Sequence, residues 1–207
     1  MDPALFVAEY WREQGLIVGE APGRGSSLFV QATPTEQWVL RPYWRGGMAA
    51  KLSTKRYLWT GAERTRAFRE LRLTAALFEQ GLPVPRPVAS CVTRYGMTYE
   101  AALMTVRIVG AKALAELLVN DQASEALLKR VGEMIRRFHQ VGLDHVDLNA
   151  RNILVDPSGT PWLIDLDRCR LRSAGKWQAD NLARLERSFK KFTKAALMPA
   201  VYHGYRY

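Results

Sequence analysis

Cysteine is almost absent. Cys91 and Cys169 are the only two, far apart and outside any C-x-x-C pair, which excludes a disulfide framework or a cysteine-built zinc site and points to a reducing compartment. Long apolar runs are missing too. No window reaches the ~18 consecutive apolar residues of a membrane-spanning helix, so any contact with a membrane is expected to be peripheral. The start, Met1-Asp2-Pro3 with Glu9 close behind, lacks the basic end and apolar stretch of a secretory signal. There is no internal repeat and no low-complexity tract. Acids are scarce in one region above all: residues 168–207 carry ten Lys and Arg against two acids, a net of +8 out of +10 for the whole chain. Such a surface attracts polyanions, among them nucleic acid, acidic lipid headgroups and phosphorylated glycolipids, although charge of this kind also serves solubility alone. Nucleic acid is the poorer fit, because aromatic side chains do not alternate with the cations in a stacking pattern.

What is present is an ordinary globular composition, 48% hydrophobic and 24% charged over 207 residues, enough for one domain or two closely packed lobes. Residues 3–14 are expected to form a short helix, ended by Gly15 and laid as a flap over a sheet. Strands are expected over 16–19, 27–32 and 37–40, separated by Pro-Gly and Thr-Pro breakers. The first turn holds Gly23, Gly25 and Ser26. Backbone N–H groups there can close over phosphates, because neither glycine has a side chain to block approach; an ordinary hairpin turn reads the same. Arg41 ends the third strand in W-V-L-R, where protein kinases carry a phosphate-binding lysine, with a snorkelling edge-strand arginine as the structural alternative. A basic loop through Arg45, Lys51, Lys55 and Arg56 follows, a candidate grip for an acidic acceptor.

Phe68, Leu71, Ala75 and Phe78 recur at helical spacing and predict a long helix over 65–80, stopped by Gly81. Glu70 lies beside its apolar face, either pairing with the strand-three cation or standing as one more exposed acid. The run L-P-V-P-R-P over 82–87 must be extended. Strands follow over 88–93 and 97–108, the second apolar enough to be central, and 106–110 is the natural hinge. Helices are expected over 112–119 and from 121 or 124 to 140, with Leu127, Leu128, Val131, Ile135 and Phe138 as a core stripe and His139 in packing or a cap. Residues 178–194 read as an amphipathic basic helix able to offer cations to an anionic surface. The tail 202–207, with three tyrosines, suits packing or a membrane interface.

The chemistry is concentrated in 145–167, H-V-D-L-N-A-R-N-I-L-V-D-P-S-G-T-P-W-L-I-D-L-D. His145, Asp147 and Asn152 make an H-x-D-x-x-x-x-N loop, a spacing that lets one carboxylate reach a hydroxyl while a downstream amide reaches a metal. Residues 153–155 and 162–164 read as paired strands joined by the turn Asp156-Pro157-Ser158-Gly159, which folds Asn152 and Asp165 side by side. Two oxygen ligands at strand ends suit Mg²⁺, which takes few protein oxygens and completes its shell with water and substrate phosphates. The reading is phosphoryl transfer from a nucleotide. Asp167 is either a supporting acid or surface charge.

These motifs, together with N-L-A-R-L-x-R-S-F-K-K, W-V-L-R-P-Y-W-R-G-G and G-L-P-V-P-R-P, resemble those of the bacterial 3-deoxy-D-manno-octulosonic acid (Kdo) kinases from about residue 19 to residue 191. The resemblance implies an α+β, protein-kinase-like two-lobe fold: an N-lobe over 1–107 with a small antiparallel sheet and one long helix, and a reduced, mostly helical C-lobe over 108–207. It implies transfer of the γ-phosphate of ATP to the 4-hydroxyl of Kdo in a Kdo-lipid A precursor, at the cytoplasmic side of the inner membrane. Asp147 would take or orient the acceptor proton, and Asn152 and Asp165 would hold Mg²⁺. Arg41 and Glu70 would brace the nucleotide's phosphates, with Gly23, Gly25 and Ser26 covering them. The chain departs from the family's Y-x-A-D-L-I-T strand at Ala102, where the family has an acid. The alternatives are a kinase of a small soluble hydroxyl compound and a nucleotide-binding pseudokinase that serves as an interaction module.

Overall fold

The computed structural model describes residues 1–21, 27–43 and 56–207; the expectations placed on Gly23, Gly25, Ser26, Arg45, Lys51 and Lys55 lie outside them. The architecture is mixed α and β, with an antiparallel sheet and several helices. The chain divides into two compact units, one of Met1–Ala75 with Arg86–Arg107, the other of Ala76–Pro85 with Ile108–Tyr207.

The first unit opens with a 3-10 turn at Pro3–Phe6, capped by the Asp2 carboxylate accepting from the Ala4 N–H at 2.9 Å. Helix α1 (Ala8–Glu13) follows. The expected single helix over 3–14 is therefore two pieces, broken where Val7 is extended. Next come β1 (Ile17–Glu20), β2 (Leu28–Thr33), β3 (Glu36–Pro42), β4 (Tyr57–Leu58), α2 (Arg66–Glu79), β5 (Pro87–Tyr95) and β6 (Thr98–Val106), the last turn of α2 grouping with the second unit. The sheet is antiparallel throughout, in the order β1-β2-β3-β6. β6 is its centre, as its apolar run requires: β3 and β4 share one of its edges and β5 takes the other.

Alternation along the strands splits the core in two. On one face Leu28, Val30, Leu40, Ala102 and Met104 pack beneath Trp11 of α1, whose indole N–H donates to the Leu5 carbonyl at 2.7 Å. The flap over the sheet is thus a real cover. Ala102 is buried there among apolar side chains. On the other face Tyr43 and Leu103 meet Ala67 of α2. Arg41, opposite Leu103 in the register, is on this second face.

The second unit continues with β7 (Lys112–Ala113), α3 (Leu114–Val119), α4 (Glu125–Gln140), β8 (Leu143–Asp144), β9 (Ile153–Val155), β10 (Pro161–Leu163), β11 (Arg170–Leu171), α5 (Trp177–Lys191) and α6 (Met198–Arg206). Ser124 caps α4, its hydroxyl accepting from the Leu127 N–H at 3.2 Å. The stripe read from the sequence is buried, and His139 at its end is packed rather than exposed. Helix α6 is one element the sequence reading missed, with the two-residue strands β4, β8 and β11. Two glycines let the backbone of α6 touch that of α4: a Cβ on Gly132 of α4 would meet the Val201 carbonyl oxygen at 2.1 Å, and one on Gly204 of α6 would meet the Lys129 carbonyl oxygen at 1.9 Å. The Tyr205 hydroxyl then reaches His139 Nδ1 at 2.8 Å, with Trp177 edge-on to the same ring.

Several cations in and beside α5 are paired: Lys176 with Asp180 at 2.7 Å, Lys190 with Glu186 at 3.0 Å, and Lys194 with Asp121. Among the described residues no helix is long and apolar enough to cross a membrane.

Candidate active site

In the loop that leaves β8, buried and outward residues are interleaved. His145, Leu148 and Ala150 go inward, and Asp147 and Arg151 are left outward. Apolar anchors on either side thus fix which way the loop turns at Asp147. Its backbone is clamped further, because the Asp147 carbonyl accepts from the side-chain amides of Asn149 and Asn152, both at 2.9 Å. The Asn149 carbonyl in turn accepts from the Asn152 N–H at 3.1 Å.

The hairpin does what its turn chemistry predicts. Asp156 Oδ1 accepts from the Ser158 N–H at 2.9 Å and the Thr160 N–H at 3.0 Å, and Oδ2 accepts from the Trp162 indole at 2.9 Å. Burial alone would raise this carboxyl, yet the bonds from Ser158, Trp162 and Thr160 outweigh it and hold it below the usual range. β9 and β10 pair Ile153 with Leu163, and the next rung is the Ile164 N–H donating to the Asn152 carbonyl at 3.0 Å. Asp165, the following residue, takes a left-handed backbone with φ 62° and is exposed. Asp147 is thereby tied to Asn152 by a side-chain bond, and Asn152 to the segment carrying Asp165 by a backbone bond.

His145 joins the same two segments from beneath. Only 2% exposed, it sets Nε2 3.1 Å from the Ile164 carbonyl, so Nε2 carries the proton and Nδ1 does not. Burial pushes this imidazole below its ordinary value, against the opposing pull of the Ile164 bond and the Asp165 and Asp147 charges. It is a neutral strut. Asp167 is half-buried, with the Arg168 guanidinium 3.9 Å away.

Residues that the sequence reading did not single out support the loop from α5. The Asn181 side-chain oxygen accepts from the His145 N–H at 3.0 Å, and its amide donates to Asp144 at 3.1 Å. The Ser188 hydroxyl accepts from the Ala150 N–H at 3.1 Å. Asp144 also receives Arg172 at 2.9 Å, with Arg170 at 3.6 Å. The available signal was two polar residues, Asn181 and Ser188, set among Leu182, Leu185 and Phe189 on the buried face of an amphipathic helix.

In the first unit Arg41 pairs with Glu70, which is 4% exposed, and the Tyr43 hydroxyl donates to the second carboxylate oxygen of Glu70. The Arg41 guanidinium lies 4.9 Å from the centre of the Tyr43 ring. Burial and the Glu70 charge push the Tyr43 hydroxyl well above the ordinary tyrosine value, so it remains a donor. Tyr43 went unnoticed in the sequence because the strand pattern ends at Arg41.

The donor set fits a hard divalent cation. With Nδ2 of Asn152 committed to the Asp147 carbonyl, its Oδ1 is the atom left to accept, and Asp165 adds carboxylate oxygens; oxygen donors of this kind are what Mg²⁺ takes. An outward carboxylate on a clamped turn, an amide oxygen and a second carboxylate carried by the neighbouring hairpin are the residue types that phosphoryl transfer uses. The chain belongs to the lipopolysaccharide kinase (Kdo/WaaP) family, whose model matches residues 8–205. Among its relatives, a 3-deoxy-D-manno-octulosonic acid kinase of Xylella fastidiosa is 48% identical over 202 residues, 97% of this chain and 80% of that protein. Proteins of the same name from Vibrio parahaemolyticus and Stenotrophomonas maltophilia are 42% and 49% identical, over 92% and 90% of this chain and 80% and 74% of their own lengths. The family expected from the motifs is the family found.

Proposed function

We propose that this protein is a Kdo kinase of lipopolysaccharide core biosynthesis, transferring the γ-phosphate of ATP to the 4-hydroxyl of the Kdo residue in a Kdo-lipid A precursor. The observation that carries the reading is the linkage of Asp147, Asn152 and Asp165 through the 2.9 Å Asn152 side-chain bond and the 3.0 Å Ile164 backbone bond. In this reading the Asp147 carboxylate accepts the proton of the acceptor hydroxyl. The hydroxyl oxygen bonds to the γ-phosphorus, the bond from that phosphorus to the bridging oxygen breaks, and ADP leaves. Little covalent work falls to the protein, so positioning and electrostatics supply most of the acceleration.

Asn152 Oδ1 and Asp165 are the residues to hold Mg²⁺. When bound, the ion neutralises charge on the phosphate oxygens. Arg41, fixed by Glu70 and Tyr43, is the proposed phosphate contact of the first unit, and Gly23, Gly25 and Ser26 the proposed phosphate cover. A protein-kinase-like arrangement of an N-lobe over 1–107 and a C-lobe over 108–207 belongs to the same proposal, as does peripheral residence at the cytoplasmic face of the inner membrane.

The test is acceptor-dependent ADP release with a Kdo-lipid A precursor, by the wild type and by Asp147→Asn. The substitution removes the base and is expected to lower turnover about 10²- to 10⁴-fold with ATP binding retained. Near-wild-type transfer by Asp147→Asn removes Asp147 from the mechanism, and the absence of acceptor-dependent release by the wild type removes the activity.

A further inference from the structure

Large apolar side chains collect at one end of the first unit's sheet. Met97, in the two-residue turn between β5 and β6, is 81% exposed. In the row behind it Leu58 of β4 and Tyr95 of β5 stand opposite Thr98 from either side, 66% and 44% exposed. Residues opposite one another in a sheet project from the same face, so these two flank Thr98 on one surface. The Trp59 N–H donates to the Met97 carbonyl at 2.9 Å and carries the pairing to the turn, with the indole edge-on to the Tyr99 ring at 6.1 Å. Tyr57, Tyr99 and Arg94 make the second row. Tyr99 is buried, and its hydroxyl accepts from the Arg66 N–H at 3.1 Å, which fastens this end to the start of α2.

Two of these rings carry a guanidinium. Arg56 lies 4.5 Å from the centre of the Tyr95 ring, and Arg94 lies 5.0 Å from that of Trp59. The Nε of Arg94 donates to the Gly96 carbonyl at 2.8 Å, so this arginine is folded toward the turn. Residues 57–59 and 93–99 contain no acid. Glu100 is 3.4 Å from Arg56, a pair between exposed side chains of the kind that holds weakly in water.

Single exposed apolar residues are ordinary, but several at one end of a sheet, backed by cations, mark a contact surface. The order along the strands decides its kind. Aliphatic side chains come first, rings with them, cations behind. At about 3.4 Å per residue, the rows of Arg94 and Arg56 are about 7 and 10 Å behind Met97. Interfacial segments sink apolar groups to about that depth in a bilayer while their cations stay with the headgroup phosphates, and Trp and Tyr favour the same level. A protein partner must bring acids to two fixed positions, whereas an anionic lipid surface offers phosphates wherever the arginines fall. We propose that this end of the sheet, Leu58, Tyr95 and Met97 with Arg56 and Arg94, seats the protein on an anionic lipid surface. The inference rests on the reading of peripheral membrane residence and deepens it, naming the surface that binds. The sequence offers α5 for that role, yet Lys176, Lys190 and Lys194 there have acids of their own.

The experiment is sedimentation at low salt with two vesicles, one of phosphatidylcholine and one of phosphatidylcholine mixed with phosphatidylglycerol. The proteins are the wild type, Leu58→Ser/Met97→Ser, Arg94→Gln and, on α5, Lys190→Gln/Lys191→Gln. Wild type is expected to bind the mixed vesicles and to bind the neutral ones about tenfold less. Leu58→Ser/Met97→Ser is expected to lose about ten- to a hundredfold in partitioning, Arg94→Gln severalfold, and the α5 variant nothing. Melting temperature and ATP binding are expected to stay close to wild type, because the altered side chains face solvent.

Binding by Leu58→Ser/Met97→Ser equal to that of wild type, or a loss confined to the α5 variant, overturns the inference and leaves membrane residence standing. Equal binding of wild type to both vesicles, or an Arg94→Gln that binds as wild type does, overturns the assignment to anionic lipid. A dimer seen without lipid in analytical ultracentrifugation, and lost in Leu58→Ser/Met97→Ser, gives the surface to a second copy instead. Wild type that binds neither vesicle overturns membrane residence and this inference with it.

Discussion

Asn181→Ala tests how the loop that carries Asp147 is held. The substitution strips the acceptor from the His145 N–H and one donor from Asp144, bonds of 3.0 and 3.1 Å between buried groups. The backbone N–H has no other acceptor at hand and no route to solvent beside a histidine that is 2% exposed, so its loss costs about 1–3 kcal/mol. Asp144 keeps Arg172 at 2.9 Å, which limits the second loss to about 1 kcal/mol. Together these make about 2–4 kcal/mol out of the roughly 5–15 kcal/mol that holds a protein folded. For a chain of this length that is a fall in melting temperature of about 5–15 °C. The loop also loses one of its two ties to α5, so kcat is expected to drop about ten- to a hundredfold while ATP still binds. Thermal and urea denaturation, with single-turnover transfer at a temperature where the variant remains folded, read both effects. A melting temperature within about 1 °C of wild type together with an unchanged kcat refutes the claim that α5 positions Asp147 through Asn181.

Tyr43→Phe leaves the buried Glu70 carboxylate short of one donor while Arg41 stays; the expected cost is about 1–2 kcal/mol and a severalfold rise in the KM for ATP, and no change in either separates Tyr43 from the Arg41–Glu70 pair. Stability is expected to fall on acidification, because His139 is held down to about 4 from 6.5, chiefly by burial, and His145 is lowered for the same reason. The unfolded chain takes up those protons first, so the contribution is complete above about pH 6.5 and decays below it. For His139 alone the loss is on the order of 2 kcal/mol by about pH 5, and a urea midpoint flat between about pH 7.5 and 5 contradicts it. The proposed membrane residence predicts sedimentation with anionic vesicles at low salt and release at high salt; failure to sediment at low salt withdraws that location.

The local code was readable wherever residues close in sequence make the structure. The Asp156 turn, the β9–β10 pair, the apolar stripe of α4 and the central place of β6 follow from turn chemistry, periodicity and apolar runs that involve near neighbours. The pairing of Arg41 with Glu70 could be named from the sequence, yet whether it formed depended on α2 packing against the sheet through Ala67, Leu71 and Tyr43. The third partner, Tyr43, lies two residues beyond the motif and became visible only when its hydroxyl was seen on Glu70.

Sequence alone determined the chemistry offered: which residue types stand at Asp147, Asn152 and Asp165, the hairpin that sets the last two side by side, and the family those motifs mark. Tertiary structure decided what holds them and what surrounds them. Asn181 and Ser188 reach back 36 and 38 residues to the loop, and α6 packs closely on α4 because Gly132 and Gly204 let two backbones touch. Such contacts leave no periodic trace in the chain. They depend on which surfaces meet once the apolar faces are buried, and hydrogen-bond complementarity between distant segments has no local propensity to announce it.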